Sequence, residues 1–210
     1  MRVWAAAPDD IPDDELAIAR DWLDAGERAQ AARFVRPGLT RAYEVAHAVL
    51  RLVVGSAADR HPGALLWWRD PCPGCGEPHG RPRAVGVEME FSLSHTDGMV
   101  VVATADRPVG VDVEVVRDPT DDLVDALHPR EIAEIRAAPA AERALRFTRA
   151  WTRTEAYLKG LGIGLARPPS LDHLGTDPEP VRHIGEWEVH DVAVSDGFVG
   201  AVAQRRPGRE

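Results

Sequence analysis

Lysine is almost absent from this chain. Of its 25 lysine and arginine residues, Lys159 is the single lysine. Lysine carries a compact point charge and arginine a broad planar fork, so a site that requires the smaller cation cannot use arginine. Two interpretations are open. Lys159 serves such a site, or it is a surface residue in an ordinary ion pair with Glu155, four residues earlier on a predicted helix.

Cysteine and long apolar runs are also scarce. Two cysteines in 210 residues exclude a disulfide scaffold and are typical of a cytoplasmic protein. No apolar run approaches the roughly 20 residues of a membrane span. The acidic first fifteen residues do not resemble a signal peptide. We therefore expect a cytoplasmic protein without a membrane partner.

Positive charge is in deficit as well. The formal net charge is −9, whereas a general nucleic-acid binder needs cations that displace counterions from phosphates. Nucleic acid is therefore excluded as a general partner, and any phosphate ligand must meet a local basic pocket. The hydrophobic content of 44% is enough for a core, so we expect the chain to fold alone, as a monomer.

The chain does contain a weak internal repeat. Two pairs of similar segments carry it: TRAY at 40–43 with TRAW at 148–151, and TDGMVVVA at 96–103 with SDGFVGAVA at 195–203. The first register aligns Arg51 with Lys159. We predict an α+β fold, a pseudo-two-fold duplication of two similar α/β halves at 1–107 and 108–210. The natural ligand site is a cleft between them.

Each half has the same order of predicted elements. A helix with apolar residues at helical spacing comes first, ending at Gly55 in one half and near Gly160 in the other, since glycine commonly caps helices. Alternating segments follow at 87–94 and 186–194, each turning at an Asp-Gly pair into another strand.

Between the halves lies the segment GVDVE, residues 110–114. In an extended strand Asp112 and Glu114 point to one face, about 7 Å apart along the chain. One interpretation is an edge strand with an exposed polar face. Joined to Glu155, the pair instead becomes a three-carboxylate site of the kind that binds Mg²⁺ with waters and phosphates. Lys159 would then lie beside those phosphates.

Three sequence motifs follow one another along the chain: SLSHTDG at 92–98, GVDVE at 110–114 and WTRTEAYLKGLGIGL at 151–165. Together they resemble the signature of the surfactin-synthetase-activator class of 4′-phosphopantetheinyl transferases. The resemblance implies two α/β halves and Mg²⁺-dependent transfer of the phosphopantetheine arm of coenzyme A. The acceptor is a serine of an apo acyl or peptidyl carrier protein from fatty acid, polyketide or nonribosomal peptide synthesis. Adenosine 3′,5′-bisphosphate is released.

The resemblance also implies roles for individual residues. Asp112, Glu114 and Glu155 match the family's metal ligands, and Lys159 matches the lysine that contacts the coenzyme A diphosphate. The positions that match or approximate its nucleotide-phosphate contacts are Arg41, His47, Arg81, Ser94 and His95. Asp112, Glu155 and Lys159 form the expected catalytic set, in which Glu155, or a water held by Glu114, is the base for the carrier serine.

One position departs from the family pattern. Thr154 stands where a lysine is usual, so any cation directly before Glu155 is absent. A catalytically silent coenzyme A-binding module is therefore an alternative. An Mg²⁺-dependent diphosphate hydrolase, which needs no protein acceptor, is another.

Three further features allow weaker predictions. CPGCGEPHG at 72–80 offers Cys72, Cys75 and His79 to zinc, but structural zinc takes four ligands and no second pair lies at a fitting spacing. We favour a glycine-rich turn that leads into Arg81.

Trp67 and Trp68 are the second feature. They could stack on adenine, but adjacent strand residues face opposite ways, so we expect at least one in the core. Third, by resemblance, Leu123 and Leu127 are candidates for carrier contacts.

Overall fold

The computed structural model describes residues 1–208. Its α-helices are α1 (Asp13–Arg20), α2 (Ala25–Ala31), α3 (Pro37–Ala57), α4 (Asp121–Asp125), α5 (Pro129–Ala137) and α6 (Ala140–Leu161). Its strands are β1 (Arg2–Ala6), β2 (Trp67–Arg69), β3 (Pro82–Ala84), β4 (Glu90–Thr96), β5 (Met99–Ala105), β6 (Val109–Val115), β7 (His183–Ile184), β8 (Trp187–Val192) and β9 (Phe198–Arg205). Across these residues no helix combines the length and apolar character that a membrane crossing requires.

Two antiparallel sheets hold most of the strands. The first has the order β1-β5-β4 and the second β6-β9-β8-β7, while β2 and β3 form a separate hairpin. The long helix α3 packs against β4 and β5, and the long helix α6 packs against β6 and β9. The fold is therefore mixed α/β, with one long helix on each sheet.

Strand β5 joins the two sheets because it is buried on both faces. Its Val100 and Val102 belong to the core beneath α3. The alternate residues Val101 and Ala103 pack with Val111 and other residues of β6 and β9, as the two-residue period of a strand requires. At this junction the backbone N–H of Val111 donates to Ser92 Oγ on β4 (3.1 Å). The predicted site residues of β4 and β6 therefore lie at the seam between the sheets.

The predicted hairpins are confirmed. Strands β4 and β5 pair through a two-residue turn at Asp97 and Gly98, and Gly98 has a φ of +88°. The turn between β8 and β9 contains Gly197, with a φ of +85°. Both glycines occupy the left-handed region that such turns need and that other residues rarely adopt.

The predicted helix ends lie within two residues of the observed ones. Helix α3 continues past Gly55 to Ala57, and α6 continues past Gly160 to Leu161. The glycine that caps α6 is Gly162, with a φ of +78° and an N–H that donates to the carbonyls of Leu158 and Lys159. Gly160 has a different reason to be glycine, given below.

Candidate active site

Strand β6 lies directly on helix α6, backbone against backbone. A Cβ added to Gly110 would stand 2.1 Å from the carbonyl oxygen of Ala156 and 2.2 Å from the nitrogen of Gly160. A Cβ on Gly160 would stand 2.4 Å from the Trp187 ring. Glycine at both positions permits this close approach. It brings Asp112, two residues beyond Gly110, to the side chains of α6.

Asp112 meets the lone lysine at this contact. The ammonium of Lys159 donates to Asp112 Oδ1 (2.6 Å) and to Ser94 Oγ (3.0 Å). The Ser94 hydroxyl donates in turn to the same Asp112 oxygen (2.7 Å). Asp112 is only 2% exposed, because β4 and α6 contribute side chains that cover it. The predicted exposed carboxylate face is therefore wrong at Asp112.

The second oxygen of Asp112, Oδ2, is buried and has no hydrogen-bond partner among residues 1–208. A buried carboxylate oxygen in that condition is costly unless a cation or donor reaches it. Asp112 thus offers one oxygen to Lys159 and Ser94 and holds the other unpaired.

Two more carboxylates, those of Glu114 and Glu155, feel the charge of Asp112. Burial, and then the charge of Asp112, raises the pKa of Glu114 to about 7. The same two causes raise the pKa of Glu155, while Lys159 opposes the shift. Arg117 and then Lys159 oppose the shift at Glu114. Three carboxylates therefore share two cationic neighbours, and a further cation would relieve the remaining negative charge.

This donor set fits Mg²⁺, which prefers carboxylate oxygens at a site that also admits water and phosphate. The three carboxylates are not drawn together in the structure. Among the described residues, the group of potential ligands whose donor atoms all lie within 4.8 Å of one another is Cys72, Cys75 and His79.

Lys159 lines a cleft of about 690 Å³. One wall comes from the β2–β3 hairpin and includes Trp68, Arg69 and Arg81; the other includes the segment 162–166, which follows α6. The three carboxylates are not among its lining residues, so Lys159 connects the cleft with the acidic cluster.

Two histidines lie beside the cleft. His47, which lines it, stacks on Tyr43 with ring centroids 4.1 Å apart, and the edge of Tyr43 meets His95 at 6.0 Å. His47 Nδ1 also lies 2.9 Å from Glu27 Oε1. Burial, and then the proximity of His47 and Lys159, lowers the pKa of His95 to about 4. A bound anion would offset the electrostatic part of that shift.

The profile of the 4′-phosphopantetheinyl transferase superfamily matches residues 108–193, the span that contains Asp112, Glu114, Glu155 and Lys159. The 4′-phosphopantetheinyl transferase HetI of Nostoc sp. is 30% identical over 203 residues, which cover 93% of this chain and 84% of that protein. The chain belongs to this superfamily.

Other relatives agree over shorter spans. A 4′-phosphopantetheinyl transferase of Bacillus subtilis is 27% identical over 123 residues, 56% of this chain and 54% of that protein. The transferase gsp of Aneurinibacillus migulanus is 29% identical over 91 residues, 43% of this chain and 38% of that protein. The enzyme class is therefore that of the phosphopantetheinyl transferases.

Two arginines that the family resemblance singled out lie in different settings. Arg81 lines the cleft, where it faces Asp70 Oδ2 (3.4 Å). Arg41 is directed to the N-terminal segment instead. It bonds Asp13 Oδ1 (2.6 Å) and the carbonyls of Pro8 and Ile11, and it is not among the cleft-lining residues.

Sequence reasoning missed a buried ion cluster in this transferase, whose Glu27 and Trp67 line the cleft. Arg51 is fully buried and donates to Glu27 Oε2 (2.8 Å), Asp24 Oδ2 (3.1 Å) and two carbonyls. The Trp67 indole N–H donates to Glu27 Oε1 (3.1 Å). The only sign of this cluster in the sequence was the alignment of Arg51 with Lys159 in the internal repeat. Because Arg51 is fully buried and paired with carboxylates, we assign it to stabilising the fold.

The weaker predictions are also resolved at side-chain level. Trp67 packs on Phe91 (5.4 Å between ring centroids) at the edge of the core, which confirms a core position for one tryptophan. Trp68 is 49% exposed, and both tryptophans line the cleft. Leu127 is fully buried, so it cannot contact a carrier; Leu123 is 38% exposed. Thr154 is buried and its Oγ1 has no partner.

Proposed function

We propose that the chain is a transferase of the surfactin-synthetase-activator class. It moves the phosphopantetheine arm of coenzyme A to a serine of an apo acyl or peptidyl carrier protein and releases adenosine 3′,5′-bisphosphate. The observation that carries the proposal is Asp112: buried, bonded to the lone lysine through one oxygen and unpartnered at the other. A binding module without catalysis has no need of such an arrangement beside a cleft.

Asp112, Glu114 and Glu155 would hold the Mg²⁺ ion. Bound there, Mg²⁺ would neutralise diphosphate charge and fix the phosphorus that is attacked. The raised pKa values of Glu114 and Glu155, caused by burial and then by the charge of Asp112, support this set, because a divalent cation favours the ionised form of carboxylates that repel one another.

The side chains of the chain itself then have separate tasks. Lys159 places its ammonium where the cleft meets the acidic cluster and stabilises charge that grows on the diphosphate as the leaving group departs. Glu155 accepts the proton of the carrier serine, directly or through water. The serine oxygen forms the new bond to phosphorus while the bond to the adenosine bisphosphate breaks.

The nucleotide end of coenzyme A is assigned to the basic and histidine side chains beside the cleft. His47 and Arg81 line it, and His95 lies near Lys159. Two assignments require rearrangement. Ser94 would turn its hydroxyl away from Asp112, and Arg41 would leave Asp13.

The proposal includes a pseudo-two-fold duplication, with halves at 1–107 and 108–210. Its support is the matching strand order. In the first sheet β5 lies between the leading strand β1 and its hairpin partner β4; in the second, β9 lies between the leading strand β6 and its hairpin partner β8. A monomer that acts in the cytoplasm completes the proposal; the two cysteines of the sequence support the location.

The test is the mass of a carrier protein. Purified protein is incubated with coenzyme A, Mg²⁺ and apo carriers from fatty acid, polyketide and nonribosomal peptide systems, and each carrier is weighed. We expect one phosphopantetheine on the active serine of at least one carrier. Glu155→Gln should abolish the gain, whereas Glu142→Gln, on the exposed side of the same helix, should keep it.

The competing functions give different outcomes. Unmodified carriers, beside a control transferase that works, would overturn the proposal. Breakdown of coenzyme A without any carrier would identify a diphosphate hydrolase. Binding of coenzyme A without either reaction would identify a silent binding module.

A further inference from the structure

The tip of the β2–β3 hairpin gathers three ligands of the type that zinc prefers. The donor atoms of Cys72, Cys75 and His79 all lie within 4.8 Å of one another. Cys75 Sγ and His79 Nε2 are 3.0 Å apart. Ligands of a tetrahedral zinc site, with Zn–S near 2.3 Å and Zn–N near 2.0 Å, stand about 3.5 Å apart. Cys75 Sγ and His79 Nε2 would separate by roughly half an ångström to admit the ion.

The backbone of the tip already has a ligand-presenting shape. The N–H of Cys72 donates to the carbonyl of Glu77 (2.7 Å), and the N–H of Gly76 donates to the carbonyl of Cys72 (2.8 Å). Gly76 has a φ of +79°, which lets the chain reverse directly after the second cysteine. The N–H of Gly74 points at Cys72 Sγ (3.4 Å), a contact that favours thiolate.

Little else holds this tip in place. Cys72 is buried, but every residue of 73–79 is exposed, so no apolar side chain of that stretch joins a core. Gly74 lies against Ile163, whose Cδ1 would be 3.0 Å from an added Cβ. An irregular segment with so small a core gains most from a cross-link, and zinc provides one.

We propose that Cys72, Cys75 and His79 bind one Zn²⁺ ion, with water in the fourth position. Two thiolates and an imidazole select zinc over Mg²⁺, which prefers oxygen ligands. The glycine-rich turn predicted at 72–80 and the zinc site are then the same segment. The three ligands found among the described residues leave one position of the tetrahedron to water.

The ion has a consequence for the cleft. His79, Gly80 and Arg81 all line it, and Arg81 follows the last zinc ligand by two residues. An added Cβ on Gly162 would be 2.9 Å from Arg81 Cγ, so Arg81 already touches the opposite wall. Zinc fixes the hairpin tip and thereby the position of Arg81. This inference concerns a site separate from the three carboxylates.

The test is metal content and cobalt spectroscopy, neither of which depends on transfer activity. Untagged protein, grown with zinc and purified with a reductant, is analysed by elemental mass spectrometry. Metal-free protein is then titrated with Co²⁺. We expect about one zinc per chain and a thiolate-to-cobalt charge-transfer band with tetrahedral visible bands. Cys75→Ser and His79→Gln change exposed ligands, and each should lose most of the zinc and alter the band.

Two matched variants locate the ion. His183→Gln removes an exposed histidine on β7 and should keep the zinc, and Glu155→Gln should keep it even though the proposed transferase site is lost. The proposal is overturned if the wild-type protein contains no zinc and its reduced form gives no charge-transfer band with Co²⁺. A Cys72–Cys75 disulfide that persists in reductant does so as well. If the protein binds zinc but modifies no carrier, the zinc site is supported and the proposed function is refuted.

Discussion

At Asp112 a single side chain combines burial, charge and an unpartnered oxygen. Its position on an alternating strand predicts a carboxylate beside Glu114, and that part of the prediction agrees with the structure. The strand pattern does not reveal that Lys159 and Ser94 cover the group. Since Asp112 is buried, an Asp112→Ala variant would lose stability as well as function, and Asp112→Asn is the cleaner test.

The first prediction concerns the size of the cation at position 159. The Lys159 ammonium reaches both Asp112 Oδ1 and Ser94 Oγ at 3.0 Å or less, a fit that the wider guanidinium cannot repeat without moving one partner. Lys159→Ala should slow single-turnover transfer by about 10²–10³-fold. Lys159→Arg should fall between this variant and wild type. The matched control Arg146→Lys, a cation exchange on the exposed side of α6, should run at the wild-type rate.

A wild-type rate for Lys159→Arg at saturating Mg²⁺ would contradict this prediction. It would mean that the lone lysine serves only as a counter-charge for Asp112. Unfolding midpoints of all variants, measured beside the rates, separate a slower enzyme from a less folded one.

The second prediction concerns Glu27, the acceptor at the centre of the buried ion cluster. Burial raises its pKa, but hydrogen bonds from His47, Arg51 and the backbone of Asp24 outweigh burial and lower the pKa from 4.5 to about 2. Glu27→Gln leaves the Arg51 guanidinium buried with less counter-charge. We expect a loss of roughly 3–5 kcal/mol in the free energy of unfolding. Glu142→Gln, in an exposed i,i+4 pair with Arg146, should lose at most about 1 kcal/mol.

The lowered pKa of Glu27 also predicts how the free energy of unfolding depends on pH. A folded-state pKa below the ordinary value means that Glu27 contributes stability above about pH 4.5 and loses that contribution as the pH falls towards 2. The difference in stability between wild type and Glu27→Gln, from urea unfolding at several pH values, should therefore narrow in acid. A constant difference from pH 7 to pH 3 would count against the ionised carboxylate as the cause.

At the scale of elements, the contact between β6 and α6 places the site, and the third prediction tests it. Gly110→Ala would put a methyl group 2.1 Å from a helix carbonyl, so strand and helix must separate. We expect a stability loss at or above the usual 1–3 kcal/mol of overpacking, together with slower transfer. Gly38→Ala on α3, whose nearest foreign atom would be 4.0 Å away, is the matched control. Thermal unfolding and single-turnover rates measure both effects, and a Gly110→Ala protein with wild-type values would refute the close approach.

Elements with a local cause were predictable from the sequence. The hairpin turns follow from Asp-Gly pairs between alternating segments, and β6 follows from GVDVE. Helix ends were predictable to within two residues. The capping glycine of α6 was not, because Gly160 is glycine for its contact with Trp187 and β6 rather than as a cap. The burial of Asp112, like the pairing of Arg51 with Glu27, depends on side chains distant in sequence.

At the scale of the whole molecule, the cleft is bounded by segments from both parts of the chain. Residues 80–82 belong to the β2–β3 hairpin, and residues 162–166 follow α6. Both segments line the cleft, as does Lys159. A ligand that spans such a cleft stabilises the two walls together, because it binds only when both are in place. Residues 80–82 and 162–166 should therefore respond to coenzyme A as one unit.

The last prediction follows from this geometry and rests on coenzyme A as the ligand. Amide hydrogen exchange, measured with and without coenzyme A, should slow in both walls. A ligand present at about 100 times its dissociation constant should also raise the free energy of unfolding by about 2.7 kcal/mol. The exposed first turn of α6, residues 140–143, serves as an internal control and should exchange at an unchanged rate. Protection confined to one wall would show that coenzyme A binds outside the cleft, even if the carboxylates beyond Lys159 still support transfer.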